Sequence, residues 1–136
     1  MHGGKHMFDV EVLKSFSNAR KYSKNEVIID EGAESPYSLY VILSGSARVV
    51  KNYGQFDQTV VAMLNRGEFF GEMSLFMKQP RTASVVTAEE AVLLEITQEN
   101  VYEMIKLNPQ MIYGILKTLC IRVDELNSRV RSMGIK

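Results

Sequence analysis

Histidine and cysteine are almost missing from this chain. The single cysteine, Cys120, excludes an intramolecular disulfide framework and a cysteine-based zinc site. The only histidines, His2 and His6, sit in the stretch Met1–Met7. They could bind a metal in principle, but a site needs converging ligands held by a scaffold, and a glycine-bearing polar tail is not one. A metal-dependent barrel enzyme is therefore excluded, and no metal is expected. No nucleophile–base pair is visible either, so the chain does not read as an enzyme. Charge of one sign is also lacking: Lys+Arg and Asp+Glu are both 16, a formal net charge of zero. A dedicated nucleic-acid surface usually shows as a basic excess. No apolar run reaches membrane-spanning length, and Met1–Met7 has no signal-peptide core. A cytoplasmic setting without membrane attachment is the expectation. No repeat of solenoid period appears.

At 136 residues, with 46% hydrophobic and 24% charged residues, the chain suits one globular unit with one real core. Residues 1–7 read as a flexible tail. Asp9 opens a short helix with Phe8, Val12, Leu13 and Phe16 on one face, and residues 17–23 form a polar connection. Short β-rich runs then follow at close spacing: 27–29, 37–43, 47–50, 59–64, Phe69–Phe70, 82–86 and 91–96. Turn signals separate them, Gly32, Gly45, Gly54 and Gly67 among them. The pattern predicts a mainly β fold with flanking helices, an antiparallel β-barrel or jelly roll (double-stranded β-helix).

Thr97 caps a predicted helix over 98–107, and Asn108-Pro109 starts a longer one over 109–136. On it Ile112, Leu116, Leu119, Val123, Leu126, Val130 and Met133 recur at alternating spacings of four and three. That is a heptad seam. It could pack on the chain's own β unit. However, Val101, Ile105 and Leu107 already offer that unit an apolar face, and the seam outruns what it could cover. A homodimer through this helix is the expectation.

The stretch Gly71–Val85 carries the chemistry. Gly71 has no Cβ, so a backbone or ligand can approach it closely. Glu72 to Phe76 can form one short helical turn, whose first N–H groups, at Glu72, Met73 and Ser74, suit an anion. The Glu72 carboxylate only accepts hydrogen bonds, so it suits a sugar hydroxyl and repels a phosphate. Nine residues on, Arg81 brings a planar set of donors that fits phosphate oxygens, and Pro80 stiffens its approach. Thr82 adds a hydroxyl. Together these groups meet the needs of a ribose cyclic phosphate. The competing local readings are a self-satisfied helix-start carboxylate for Glu72 and a weak surface ion pair for Arg81.

The order Phe70-Gly71-Glu72-Met73-Ser74-Leu75, then Pro80-Arg81-Thr82-Ala83, resembles the phosphate-binding cassette of the cyclic-nucleotide-binding domain family. That family includes catabolite-activator-type regulators and the regulatory domains of cyclic-nucleotide kinases and channels. Ile28–Gly32, Leu39–Gly45 and Leu64–Gly67 resemble its strand-and-glycine framework, so the likeness covers roughly residues 9–133. It implies that 8–108 is the nucleotide-binding barrel and 109–136 the dimerisation helix. It further implies that Glu72 takes the ribose 2′-hydroxyl, that Arg81 takes the phosphate, and that Gly71, Met73, Ser74, Thr82 and Ala83 line the ligand. Ser74 stands where the family has a small residue, often alanine. In the regulators, residues placed like Asn127 and Ser128 read the purine, partly across the subunit boundary; here they could equally be a solvated helix flank. Arg122, on the other side of the seam, carries the same two readings.

Thr82 occurs in both cyclic AMP- and cyclic GMP-binding relatives. The expectation is a cyclic AMP sensor, with cyclic GMP the alternative ligand. A family regulator would continue into a helix-turn-helix, and no such segment follows before Lys136, so direct DNA binding is not expected. The alternatives are a sensing fragment or partner-dependent relative of a transcription regulator, and a ligand-free dimerisation scaffold.

Overall fold

The structure is a computed structural model that describes residues 18–134. The tail at 1–7, the helix expected from Asp9 and residues 135–136 lie outside the described residues.

Among the described residues eight strands form two antiparallel four-stranded sheets: β1 Ala19–Tyr22, β2 Val27–Ile29, β3 Leu39–Ser44, β4 Ala47–Lys51, β5 Thr59–Leu64, β6 Phe69–Phe70, β7 Ser84–Thr87 and β8 Ala91–Ile96. One sheet runs β1-β8-β3-β6 and the other β2-β7-β4-β5. The result is an open jelly roll rather than a closed barrel, so that alternative is corrected. Among the described residues the three helices are α1 Glu72–Met77, between β6 and β7, then α2 Val101–Leu107 and α3 Gln110–Ser132.

The first sheet is covered on both faces, which explains why β3 reads as the unbroken apolar run Leu39–Leu43, every residue buried. Leu39, Val41, Leu43, Leu94 and Ile96 face the helices and pack with Met104, Met111 and Ile115. Tyr40, Ile42, Ala91 and Leu93 face the other sheet and pack with Ile29, Phe70 and Val85. Strand alternation assigns successive side chains to the two clusters. Each fully buried aliphatic side chain contributes about 1.5–3 kcal/mol relative to exposure.

Some expected boundaries shift. The polar connection contains β1, whose residues Arg20 and Lys21 are exposed and only Tyr22 is buried. β1 is an edge strand pairing β8 alone, and edges tolerate charge. Regular α2 begins at Val101 rather than Gln98, but Thr97 does cap the turn that leads into it: Thr97 N–H donates to Asn100 Oδ1 (2.8 Å), Asn100 N–H to Thr97 Oγ1 (3.2 Å) and Val101 N–H to Thr97 O. Leu107 does not serve the core; it is 58% exposed.

On α3 two stripes divide the work. Met111, Gly114 and Ile115 are buried against the chain's own first sheet, and Leu119 packs beside them. The heptad positions Leu116, Val123, Leu126, Val130 and Met133 stay exposed.

Gly45 turns β3 into β4 with φ +81°, and a Cβ there would lie 2.4 Å from the Glu90 carbonyl and 2.8 Å from Ala91 Cα. Both neighbours are backbone, so neither can rotate away. Gly45→Ala combines left-handed strain with overpacking and is expected to cost roughly 2–4 kcal/mol, read as a lower urea midpoint at unchanged slope.

Candidate functional site

The site is built where β6 hands over to α1. Phe69 and Phe70 are anchored by pairing with Val41 and Tyr40, and the Phe70 ring stacks on Tyr40 at 5.3 Å. Gly71 then takes φ +91°, a left-handed value, and starts α1 without any side-chain cap. The N–H groups of that first turn have no intrahelical acceptor. The turn closes at Lys78, whose N–H bonds the Ser74 carbonyl, while the buried Ser74 hydroxyl donates to Gln79 O at 2.7 Å.

The return loop is clamped to the turn at residues 30–33. Arg81 N–H donates to Ala33 O and Gly32 N–H donates to Arg81 O, both at 2.8 Å. Lys51 Nζ reaches Thr82 O at 2.5 Å and pairs with Glu31 at 3.1 Å. Asn52 N–H and Lys51 hold the Glu31 carboxyl below the usual carboxylate range.

Arg81 is 7% exposed. Its Nη2 donates to Pro36 O (2.7 Å) and Ser38 O (2.8 Å), and its Nη1 is buried without a partner. Burial lowers the Arg81 pKa, opposed by nearby Tyr40 and Glu95. An arginine stays charged regardless, so a buried donor with unused capacity faces an energetic deficit that an anion would remove. Gly71 makes room for it: a Cβ there would fall 2.6 Å from Ser38 O and 2.7 Å from Arg81 Nη1.

A cavity of about 240 Å³ opens over these groups. Gly71, Glu72, Met73, Ser74, Arg81, Thr82 and Ala83 all line it, with Gln79 and Pro80. Its apolar wall comes from Ile29, Val49, Phe70 and Val85. One end is polar and cationic, the other apolar. Such a shape can hold a small anion attached to a flat apolar body.

The remaining expected site residues lie elsewhere. Arg122 does not line this cavity; its Nη1 bonds Glu72 Oε2 at 2.5 Å, and its guanidinium lies over the Phe69 ring at 5.3 Å. Glu72 is thus tied to α3. Arg122 borders a second cavity of about 210 Å³ between β5 and α3, with Met63, Leu64, Thr118, Ile121 and Glu125 among its walls. Asn127 and Ser128 are exposed and line neither cavity; the Ser128 hydroxyl accepts from Arg131 at 3.2 Å. Sequence reasoning missed the carbonyls of Pro36 and Ser38 and the wall residue Val49. Backbone acceptors carry no residue-type signal, and Val49 reads as any strand valine. Among the described residues no three metal-ligating side chains converge.

A model of the cyclic nucleotide-binding domain family matches residues 19–108. The chain is 29% identical over 117 residues to the cyclic AMP receptor protein of Thermus thermophilus, covering 86% of this chain and 54% of that one. It is 26% identical over 126 residues to the cAMP-activated global transcriptional regulator of Salmonella typhimurium, covering 92% and 60% respectively. It therefore spans just over half the length of these curated relatives. The crystal structure of the Thermus thermophilus catabolite activator protein superposes with a TM-score of 0.75 at 27% identity, over 92% of this chain and 58% of that chain.

Gly71→Ala tests the packing of the site directly. The added methyl must displace either Ser38 or the Arg81 guanidinium. A loss of more than about 1 kcal/mol is expected in urea unfolding, because the substitution also meets a left-handed φ.

Proposed function

The chain belongs to the cyclic nucleotide-binding domain family, and from that premise we propose that it is a regulatory sensor module, not an enzyme, whose cavity takes cyclic AMP. The observation that carries this reading is the buried Arg81 with one terminal nitrogen unspent beside Gly71. A cyclic phosphate brings one negative charge and acceptor oxygens to that nitrogen and to the first N–H groups of α1. The ribose 2′-hydroxyl donates to Glu72, which has lone pairs left beyond its bond to Arg122. The purine lies against the apolar wall of Val49, Phe70 and Val85.

Occupancy is relayed through Glu72–Arg122, which ties the cassette to α3. In this reading residues 8–108 form the binding unit and 109–136 the dimerisation helix. Support for a homodimer is the exposed heptad stripe, with Leu116, Val123 and Leu126 each 55% exposed. In a parallel pair, Asn127 and Ser128 flank that seam, so the second copy brings them to the base. Arg122 stands at the opposite flank. In this reading the module acts in the cytoplasm. Among the described residues no helix is long and apolar enough to cross a membrane.

Calorimetric titration with cyclic AMP, cyclic GMP and 2′-deoxy cyclic AMP tests the site. Truncating one partner of a buried charge pair costs ~2–5 kcal/mol, so Arg81→Ala is expected to weaken binding by roughly 30- to 1000-fold or more. Arg81→Lys should fall between, since it keeps the charge without the fork. Glu72→Ala should erase the preference for ribo over 2′-deoxy ligand, which Arg81→Ala should leave. Arg81→Ala binding within about threefold of the parent would mean that the phosphate is held elsewhere. Tighter binding of cyclic GMP by the parent would overturn the choice of cyclic AMP.

For the dimer, Leu126→Asp introduces a charge into an apolar seam, which is costly unless paired. Light scattering is expected to report a shift to one chain per particle. A mass of two chains for this variant would reject the seam as the interface.

A further inference from the structure

Glu95 is an acid in a place built for apolar side chains. Alternation along β8 gives it the same face as Ala91 and Leu93, both in the cluster between the sheets with Tyr40 and Phe70. Glu95 is half-buried there, so its carboxylate loses part of its water and is favoured by hydrogen-bond donors. Two are present: Ser38 Oγ donates to Glu95 Oε2 at 2.6 Å, and Tyr40 OH approaches the same oxygen at 3.4 Å. Ser38 is fully buried and precedes the first residue of β3. Its side chain supplies the anchor for a peptide that stands outside the strand. The carbonyl of that same residue receives Arg81 Nη2 at 2.8 Å.

We propose that Glu95 is the positioning residue for Arg81: through the Ser38 hydroxyl it fixes the Ser38 carbonyl, which docks Nη2 and leaves Nη1 directed at the ligand anion. The inference rests on the reading of the cavity as a cyclic-nucleotide site. Two features make the relay specific. Among the described residues the Glu95 carboxylate bonds no cavity-lining residue, so its hydrogen-bonded route to the site runs through Ser38 or Tyr40. The Ser38 carbonyl also lies where a Gly71 Cβ would fall, so a small shift of that peptide changes the space beside Nη1.

The test uses the full chain with Glu95→Ala, Glu95→Gln and Ser38→Ala, and has two arms. In the ligand-free protein, the Arg81 Nε–Hε resonance, assigned by its loss in Arg81→Lys, reports guanidinium mobility. It is expected to be rigid in the parent and in Glu95→Gln, which keeps an acceptor for Ser38, and mobile in the two alanine variants. In the second arm, cyclic AMP titration is expected to give roughly tenfold weaker binding for both alanine variants and parent-like binding for Glu95→Gln. In an Arg81→Ala background, Glu95→Ala should cause no further loss. If Glu95→Ala fails to fold, Ser38→Ala and Glu95→Gln carry both arms. A rigid Arg81 resonance in folded alanine variants overturns the proposal. So does a loss that adds in full to that of Arg81→Ala, the mark of general destabilisation. A parent that binds no cyclic nucleotide rejects the ligand reading, while the resonance arm still decides the positioning role.

Discussion

A guanidinium taken out of water organises this molecule. Arg81 is held under the cassette by two carbonyls, Pro36 O and Ser38 O, and by the backbone clamp to Gly32 and Ala33. Burying a cation is expensive unless its donors are met. Here one side of the fork is met by the protein and the other is not. The surroundings follow from that constraint. Gly71 has no side chain because one would overlap Arg81 and Ser38. Just ahead of β3, the carbonyls of Pro36 and Ser38 accept from the guanidinium.

The two sheets divide their labour in the same way. The sheet containing β3 and β8 is buried on both faces and serves as the rigid floor between helices and cavity. The other sheet supplies the apolar wall through Ile29, Val49 and Val85. β5, its outer strand, is exposed along most of its length. α3 reaches the cassette through one ion pair, Glu72–Arg122, in which Glu72 is 13% and Arg122 42% exposed by side chain. The pair is part-buried, and its value is geometric, because it links a cavity-lining carboxylate to the helix that bears the seam.

Much of this was legible from residue order because the chemistry is local. Gly71, Glu72, Ser74, Arg81, Thr82 and Ala83 are close in sequence, so a single turn and its return loop bring them round one cavity. The strands from Val27 to Ile96 were legible because each is a short run of β-branched and apolar residues bounded by turn signals. β1 was not, since an edge strand with one buried residue has no such run. Leu107 misled for the converse reason: it is apolar but stands at the end of α2, where it is more than half exposed.

By itself the sequence determined the cassette, the order of β2 to β8 and of α1 to α3, and the apolar seam, because each is written in neighbouring residues or in a short period. Only the tertiary structure decided that the jelly roll stays open as two sheets. It alone decided that Arg81 spends half its fork on Pro36 and Ser38, and that Arg122 turns to Glu72 while Asn127 and Ser128 stay outside the cavity. The reason is that backbone carbonyls look alike in every sequence, and the meeting of residues 43 to 50 positions apart depends on how sheets and helix stack. Spacing along the chain carries no record of that stacking.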